Sequence, residues 1–208
     1  MMKDESTNTE AIILEAARHV FIKSGLDGAR MQEIADKAGI NKALLHYYYR
    51  SKEKLFERIF AESFKQMFEG VRACFATDSS LETIIRTFIP LYLKTIQENP
   101  FLPSFVMHEI NNRPERLKEF MLKGGVQPNY IIKTIEDAKK QGLIHPLTGG
   151  ELMMSMIGIC VIPVIGRPIF KTFFYNNSDE EYDDFLKNRE KRVIQFIFNA
   201  IYINPPKA

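Results

Sequence analysis

Hydrogen-bond donors, cations and aromatic rings are concentrated in one ten-residue stretch, NKALLHYYYR, at residues 41–50. Lys42, His46 and Arg50 recur every four residues, which places them on one face if the stretch is helical. Such side chains on one helix face suit contacts to phosphates and to base edges in a DNA groove. A solvated helix face explains any single lysine equally well. The stretch as a whole predicts a surface that reads nucleic acid.

Positive charge is concentrated around the same stretch. Residues 37–54 hold five Lys or Arg side chains and one acid, Glu53, a local charge of +4, whereas the whole chain has a formal net charge of +2. Neutralisation of phosphates supplies most of a protein's sequence-independent affinity for DNA. The charge distribution therefore favours duplex DNA as the partner of this segment.

The residues around this stretch predict two short helices that cross closely, over about 31–38 and 42–48. Gly39 suits a left-handed helix end, and Asn41 has the side chain of a helix N-cap. Small and apolar residues are spaced to fill the wedge between the helices: Ile34, Ala35, Ile40 and Leu45. This arrangement is typical of a helix-turn-helix whose second helix enters the major groove.

The segment AGINKALLHYYYRSKEKLF, with the preceding run AIILEAARHVFIKSGLDGARMQEIA, resembles the tetracycline-repressor (TetR) family of bacterial transcriptional regulators. The close resemblance covers about the first quarter of the chain. The family pattern usually has a Thr pair at Ala29 and Arg30 and commonly Gly-Thr at Ala43 and Leu44. Arg30 can replace the lost phosphate contact by its charge, and Leu44 can touch a thymine methyl group.

We therefore predict that base edges meet Lys42, Leu44, His46 and Tyr47. Phosphates are predicted to meet Arg30, Tyr48, Arg50, Lys52 and Lys54. The full predicted DNA-binding set is Arg30, Gln32, Asn41, Lys42, Ala43, Leu44, His46, Tyr47, Tyr48, Arg50, Lys52 and Lys54.

The chain as a whole predicts an all-α fold, because no stretch alternates apolar and polar residues for long enough to need a sheet. Capping boxes are predicted at Thr7 with Glu10, Ser79 with Glu82, Thr148 with Glu151, and Ser178 with Glu181. We expect a three-helix head at residues 1–54 and a larger helical domain for effector binding and dimerisation at residues 55–208.

The predicted helices place apolar stripes against a common core. A long helix from about Ser51 to Phe75 connects the head to the rest of the chain. Its stripe is Leu55, Ile59, Phe60, Phe64, Met67, Phe68 and Val71. The other predicted helices cover about 8–24, 80–98 with a kink at Pro90, 101–111, a segment starting at Pro114, 127–141, 149–165 and 179–203, and residues 167–177 are predicted to be irregular.

Aromatic, Met and polar residues in the second domain are candidates for an effector pocket, which the family resemblance implies for a small and largely apolar ligand. Ordinary core packing explains each of these residues individually. They are Phe88, Tyr92, Phe105, Met107, His108, Met121, Tyr130, Met156 and Cys160.

A very apolar helix near residues 149–165 suggests a surface that pairs with a second copy, with the core of a monomer as the alternative. The resemblance implies a two-fold dimer whose heads meet successive major grooves of a palindrome. The predicted interface residues are Ile131, Ile135, Ala138, Met153, Ile157, Val161 and Val164.

Other classes of function find little support. The two Cys and four His show no zinc-ligand spacing, and no phosphate loop or nucleophile elbow occurs, so we predict no enzyme activity, no cofactor and no metal site. The longest apolar run, from Leu152 to Gly166, is shorter than the roughly 20 residues of a membrane span. We expect a cytoplasmic protein without a membrane partner.

The predicted function is a ligand-responsive, dimeric transcriptional repressor that binds a palindromic operator and is released by its effector. Its partners are double-stranded operator DNA, a small molecule and a second copy of the chain. Two alternatives remain open from the sequence: a helical small-molecule-binding or protein-interaction module with an incidental basic head, and an activator with the same fold.

Overall fold

The computed structural model describes residues 2–76 and 79–207, without the side chains of residues 2–7, 66, 67, 71 and 74–76. Over this part of the chain the regular elements are helices, which confirms the predicted all-α fold class. One isolated antiparallel bridge joins Ile144 to Tyr202. The helices are α1 (Met2–Gly28), α2 (Met31–Ala38), α3 (Lys42–Tyr48), α4 (Lys52–Ala76), α5 (Leu81–Glu98), α6 (Leu102–Asn112), α7 (Pro114–Lys123), α8 (Pro128–Lys140), α9 (Gly149–Ile165), α10 (Arg167–Phe174), α11 (Asp179–Lys187) and α12 (Arg189–Ile201).

The helix-turn-helix is formed by α2 and α3 at the predicted bounds. Gly39 follows α2 with φ 67°, a left-handed conformation that glycine adopts at little cost. The Asn41 side chain accepts a hydrogen bond from the Leu44 amide at 2.8 Å and so caps α3. Ile34 and Leu45 are fully buried in the wedge between the two helices, as predicted.

The first helix is longer than predicted. It begins at Met2, so the backbone of Thr7 lies within the helix and the predicted helix start at Thr7 is wrong. The structure does not describe the Thr7 side chain. Lys and Glu in the first turns are good helix formers, which allows the helix to extend beyond the polar cap residue. Gly25, with φ 66° and ψ 178°, interrupts the helix where an end was predicted.

The long helix α4 joins the head to the rest of the protein. Described members of its predicted stripe are buried, among them Leu55, Ile59, Phe60, Phe64 and Phe68. The Met67 and Val71 side chains of that stripe lie outside the described residues. α4 packs on both α1 and α5, so one continuous helix contacts both parts of the chain.

The other predicted caps have mixed outcomes. Thr148 and Glu151 form the full capping box, and Ser178 accepts from the Glu181 amide at 3.2 Å. The cap predicted at Ser79 is wrong by one residue, because the Ser80 hydroxyl accepts from the Thr83 amide instead. The adjacent serines are both suitable caps, and the sequence pattern alone does not distinguish them.

The C-terminal third differs from the sequence prediction in two places. The segment predicted to be irregular contains a helix, α10, which has Pro168 in its first turn, where proline is well tolerated. The last predicted helix is broken into α11 and α12 at Asn188. The Asn188 side-chain amide donates to the Asp184 carbonyl and carboxylate, both at 2.9 Å, and this local bonding competes with a continuous helix.

In the described ranges no single helix is long and apolar enough to cross a membrane. The helices α9 and α10 reach that length and apolarity only when they are taken together, and they are bent by 75° where they meet.

Candidate functional site

The third helix presents its predicted DNA-contacting side chains to solvent. Lys42, His46 and Arg50 are exposed, and Tyr47 is 82 % exposed. Leu45, on the opposite face, is fully buried. The inward and outward faces of this helix are therefore those that helix periodicity predicts.

Local contacts hold the exposed side chains of α3. The Tyr47 and Tyr48 rings meet edge to face with centroids 5.6 Å apart, so half-buried Tyr48 supports exposed Tyr47. His46 Nδ1 lies 3.3 Å from the Arg50 carbonyl oxygen. Since Nδ1 is engaged at the end of the helix, Nε2 is the ring nitrogen left to meet a base or phosphate.

Two predicted contact residues lie on α2 and at its start. Arg30 occupies the N-cap position without a side-chain capping bond, as expected where the usual Thr is absent. Gln32 Nε2 donates to Asp36 Oδ1 at 2.7 Å. This bond holds the Gln32 side chain along its own helix, and the amide oxygen is left as its open group.

Lys52 and Lys54 lie in very different surroundings, although both were predicted to contact phosphates. The Lys52 ammonium donates to the carbonyl oxygens of Leu26 at 2.9 Å, Asp27 at 3.0 Å and Ala29 at 3.4 Å. These carbonyls belong to the end of α1 and the turn before α2. The Lys54 side chain is 68 % exposed and pairs with Glu57 at 3.1 Å.

A chain of polar contacts, here called the head–body network, connects α3 to α5. The Tyr49 hydroxyl donates to Glu10 at 2.6 Å, and Arg58 lies 3.7 Å from Glu10 and 3.1 Å from Glu62. Burial and the Glu10 carboxylate raise the pKa of Tyr49 well above its usual value. The network continues from Glu62 through Arg18, at 3.2 Å, toward α5.

The far end of the network is held by a buried side chain. The Arg18 guanidinium donates to Asn99 Oδ1 at 2.8 Å and to the Ser63 hydroxyl at 3.0 Å. Asn99 is 5 % exposed and donates in turn to the Thr95 carbonyl. These residues were not predicted from the sequence, because Asn99 lies 36 positions from Ser63 and 81 positions from Arg18 along the chain.

The nine predicted effector residues do not line one common cavity among those formed by the described residues. The Phe88 and Tyr92 rings stack with centroids 5.2 Å apart on α5, and α5 packs on α9. The α9 residues Met156 and Cys160 are buried, and burial raises the pKa of the Cys160 thiol to about 12. These four side chains are therefore part of the hydrophobic packing between α5 and α9.

The remaining predicted pocket residues are dispersed. Met107 and His108 are exposed on α6, and Met121 is exposed on α7. Tyr130 is half-buried, and its hydroxyl donates to the Ser79 carbonyl at 3.3 Å. Phe105, which is buried on the inner face of α6, lines one cavity together with His108 against the end of α1. It also lines a second cavity, which contains no other predicted effector residue.

That cavity, here called the α4–α7 cavity, has a volume of about 440 Å³ and lies between α4, α6 and α7. It has an aromatic wall and a charged rim. Its lining residues are Lys54, Glu57, Arg58, Phe60, Ala61, Phe105, Glu109, Arg116, Leu117, Glu119, Phe120 and Lys123. Of these residues, only Phe105 belongs to the predicted effector-pocket set, whereas Lys54 was predicted to contact DNA.

The residues predicted for a dimer interface divide into two groups. Ile131, Ile135 and Ala138 are buried within the chain itself and so offer no surface to a partner. Half-buried positions on α9 make up the second group: Met153, Ile157, Val161 and Val164. One face of α9 is therefore core, and the helix is not buried all round.

Exposed apolar side chains are instead concentrated toward the C-terminal end, on a surface here called the C-terminal apolar surface. Phe173 and Phe174 of α10 are 75 % and 72 % exposed. We use this name for the exposed residues at the end of α9 and on α10, where the Phe173 and Phe174 ring centroids lie 6.5 Å apart. They are Ile162, Ile165, Ile169, Phe173 and Phe174. Clustered exposure of large apolar side chains commonly marks an interface.

Comparison with known proteins agrees with this architecture. Residues 13–59 match the sequence model of the family described as bacterial regulatory proteins, tetR family. The HTH-type transcriptional repressor NicS of Pseudomonas putida is 42 % identical over 190 residues, which are 88 % of this chain and 82 % of NicS. The HTH-type transcriptional regulator RutR of Escherichia coli K12 is 32 % identical over 88 residues, or 42 % of this chain and 41 % of RutR.

Solved structures share the fold. A TetR family transcription regulator from Marinobacter aquaeolei VT8 has a TM-score of 0.65 at 19 % identity, covering 96 % of this chain and 98 % of that one. HlyIIR, a hemolysin II transcriptional regulator, has a TM-score of 0.61 at 22 % identity, and the match covers 82 % of this chain and 94 % of HlyIIR. The chain belongs to the TetR family of bacterial regulatory proteins, which are DNA-binding transcriptional regulators and not enzymes.

Proposed function

We propose that the protein is a dimeric repressor that binds a palindromic operator and is released from it by a small effector. The observation that carries this proposal is a recognition helix with a fully buried Leu45 on one face and exposed Lys42, His46 and Tyr47 on the other. Residues 1–54 form the reading head and residues 55–208 the effector and pairing domain. The protein acts in the cytoplasm, where the chromosome lies.

Side chains at the exposed face of α3 read bases. Lys42 and Tyr47 supply donors to base edges, and the partly exposed Leu44 meets a thymine methyl group. His46 offers Nε2, since Nδ1 faces the Arg50 carbonyl.

The phosphate contacts lie around the base readers. Arg30, Arg50 and Lys54 are exposed cations at the edges of α2, α3 and α4, and they neutralise phosphates and set the register. We assign Lys52 a different task, because its ammonium already bonds three carbonyl oxygens within the head.

Pairing of two copies uses the C-terminal apolar surface. Phe173 and Phe174 are 75 % and 72 % exposed in the single chain, and burying side chains of this kind stabilises an interface by about 1.5–3 kcal/mol each. A two-fold pair uses the same surface on both copies, so each exposed phenylalanine contributes twice.

Effector and operator compete through α4. This helix contacts the head at its start and lines the α4–α7 cavity through Glu57, Arg58 and Phe60. A ligand that moves α4 also moves the head, and the two ligands must oppose each other by equal factors at equilibrium.

The experiment is an electrophoretic mobility shift with duplexes taken from the DNA that flanks the protein's own coding region. Lys42→Ala and Tyr47→Ala are expected to reduce the preference for one duplex over others. Lys54→Ala is expected to weaken binding to all duplexes and to lower the slope of log affinity against log salt by about 0.9.

Lys94→Ala is the matched control, because Lys94 is an exposed lysine on α5 that pairs with Glu98 and lies outside the head. Equal effects of Lys94→Ala and Lys54→Ala would contradict the assigned phosphate contact. Two chains per duplex support the dimer. No binding to any duplex would favour a helical small-molecule-binding or interaction module instead.

An activator with the same fold is the second candidate, since the coupling between effector and DNA can have either sign. A transcription assay from the flanking promoter distinguishes the two. Added protein lowers transcript yield if it represses and raises it if it activates.

A further inference from the structure

The α4–α7 cavity has an aromatic wall built from three helices. Phe60 comes from α4, Phe105 from α6 and Phe120 from α7, and the Phe60 ring centroid lies 5.3 Å from that of Phe105 and 4.7 Å from that of Phe120. A volume of about 440 Å³ is within the range of small-molecule pockets. Aromatic faces accept apolar groups and also attract cations through the ring quadrupole.

A carboxylate is buried against this wall. Glu109 of α6 lines the cavity and is only 4 % exposed. Its ion-pair partner is Arg116, whose Nε lies 3.5 Å from Glu109 Oε2, longer than the roughly 2.7–2.9 Å of a strong charged hydrogen bond. A carboxylate accepts up to about four hydrogen bonds, so Glu109 keeps acceptor capacity at the cavity.

Cations at the rim of the cavity have closer partners than Glu109 has. Arg116 Nη2 lies 2.8 Å from Glu57, and Lys54 lies 3.1 Å from the same residue. Lys123 pairs with Glu119 at 2.6 Å. Arg58, the fourth cation that lines the cavity, lies 3.1 Å from Glu62. An anionic ligand must break one of these close pairs before it gains a contact, whereas a cationic ligand gains Glu109 by replacing only its 3.5 Å contact with Arg116.

We propose that the effector of the α4–α7 cavity is an amphipathic amine, with an ammonium or amidinium group bound to Glu109 and an apolar, preferably aromatic, body against Phe60, Phe105 and Phe120. This inference rests on the proposed function for the role of the ligand, and it names the ligand's chemical class.

The position of the cavity explains how such a ligand reaches the head. Glu57 and Arg58 line it from the second turn of α4. Arg58 lies 3.7 Å from Glu10, which accepts the hydrogen bond of the Tyr49 hydroxyl at the end of the recognition helix. A ligand that separates α4 from α6 and α7 therefore acts on Arg58, which lines the cavity and is itself a member of the head–body network.

The test is isothermal titration calorimetry of the 208-residue protein with three probes of matched shape: naphthylethylammonium, naphthylethanol and naphthylacetate. The ammonium probe is expected to bind at least about tenfold more tightly than the alcohol or the carboxylate, a ratio that corresponds to about 1.4 kcal/mol. Tighter binding of the carboxylate, or no measurable binding of the ammonium probe, would overturn the proposal.

Variants locate the probe. Glu109→Gln keeps the shape of the side chain and is expected to lose at least about tenfold in affinity for naphthylethylammonium, since one charged contact is removed. Glu119→Gln is the matched control, because Glu119 lines the same cavity but its side chain is 64 % exposed. Unchanged affinity in Glu109→Gln contradicts the site; if that variant does not fold, the three-probe comparison on the unaltered protein still decides.

A parallel mobility shift separates this inference from the proposed function. Absence of DNA binding refutes the proposed function, while the calorimetry, which contains no DNA, still tests the cavity. DNA binding that survives while naphthylethylammonium fails to bind refutes the amine assignment alone.

Discussion

Replacement of Lys52 by methionine tests how the reading head is held together. The ammonium donates to Leu26 at 2.9 Å, Asp27 at 3.0 Å and Ala29 at 3.4 Å, and methionine keeps the apolar stem while removing every donor. A hydrogen bond to a charged group contributes about 1.5–3 kcal/mol. Because the contacts are partly exposed and the third is long, we expect a loss of about 2 kcal/mol in the free energy of unfolding for the whole set.

Two measurements follow from that magnitude. For a chain of this size, about 1 kcal/mol shifts the melting temperature by about 2–4 °C, so Lys52→Met is expected to lower it by about 4–8 °C. Fluorescence anisotropy with duplex DNA between about 50 and 200 mM salt is expected to show weaker binding with an unchanged salt slope, because no phosphate contact is lost.

Lys54→Ala gives the opposite pair of results and serves as the comparison. Its exposed ammonium contributes little to folding, so the melting temperature changes little while the salt slope falls by about 0.9. The assignment of Lys52 is wrong if Lys52→Met has the melting temperature of the unaltered protein and its slope of log affinity against log salt falls by about 0.9. Lys52 would then be a phosphate ligand.

Three further variants test the network, the pairing surface and the core. Tyr49→Phe removes the donor to Glu10 and is expected to lower the free energy of unfolding by about 1 kcal/mol in chemical denaturation, the low end because the Glu10 side chain is 39 % exposed; no loss would contradict the bond. Phe173→Asp is expected to weaken self-association about a thousandfold, as measured by sedimentation velocity, because each of the two copies loses about 2 kcal/mol of association free energy. Leu122→Asp, at an exposed position on α7, is the control and is expected to leave self-association unchanged. The pKa of Cys160 rises from 9.0 to about 12 on folding because burial disfavours the thiolate. The stability that the neutral thiol contributes is therefore complete below pH 9.0 and is lost as the pH rises toward about 12. The free energy of unfolding of the unaltered protein is expected to exceed that of Cys160→Ala by a margin that shrinks across this interval. A margin that grows with pH would contradict the prediction.

The helix-turn-helix was predictable because its determinants are local. Gly39 ends α2, Asn41 caps α3 and Leu45 faces inward, and each of these acts within a few residues of its own position. The inward and outward faces of α3 follow directly from helix periodicity. Bounds for α2, α3 and α9 agreed with the sequence prediction.

The contacts of Lys52 were not predictable from the sequence, because its three carbonyl partners lie 23 to 26 residues away. A lysine in a basic segment looks like a phosphate ligand whatever its ammonium contacts in the fold. The same limitation applies to Arg18 and Asn99, which meet across 81 positions. Such contacts depend on how the helices pack.

The cavity and the pairing surface depend on which face of each helix turns inward. The sequence places Phe105 and Met107 on the same helix, but only Phe105 faces the interior. Apolar residues of α8 such as Ile135 are as compatible with an interface as with a core, and the packing of α8 on α9 makes them core. The break at Asn188 gives no stronger sequence signal than many asparagines inside helices.

Anisotropy titration of labelled duplexes from the DNA flanking the coding region, at about 50 mM salt, tests the central claim most directly. The account predicts saturable binding of two chains per duplex, lost selectivity in Lys42→Ala, and release by naphthylethylammonium. Failure of the unaltered protein to bind any of these duplexes at that salt concentration would contradict it.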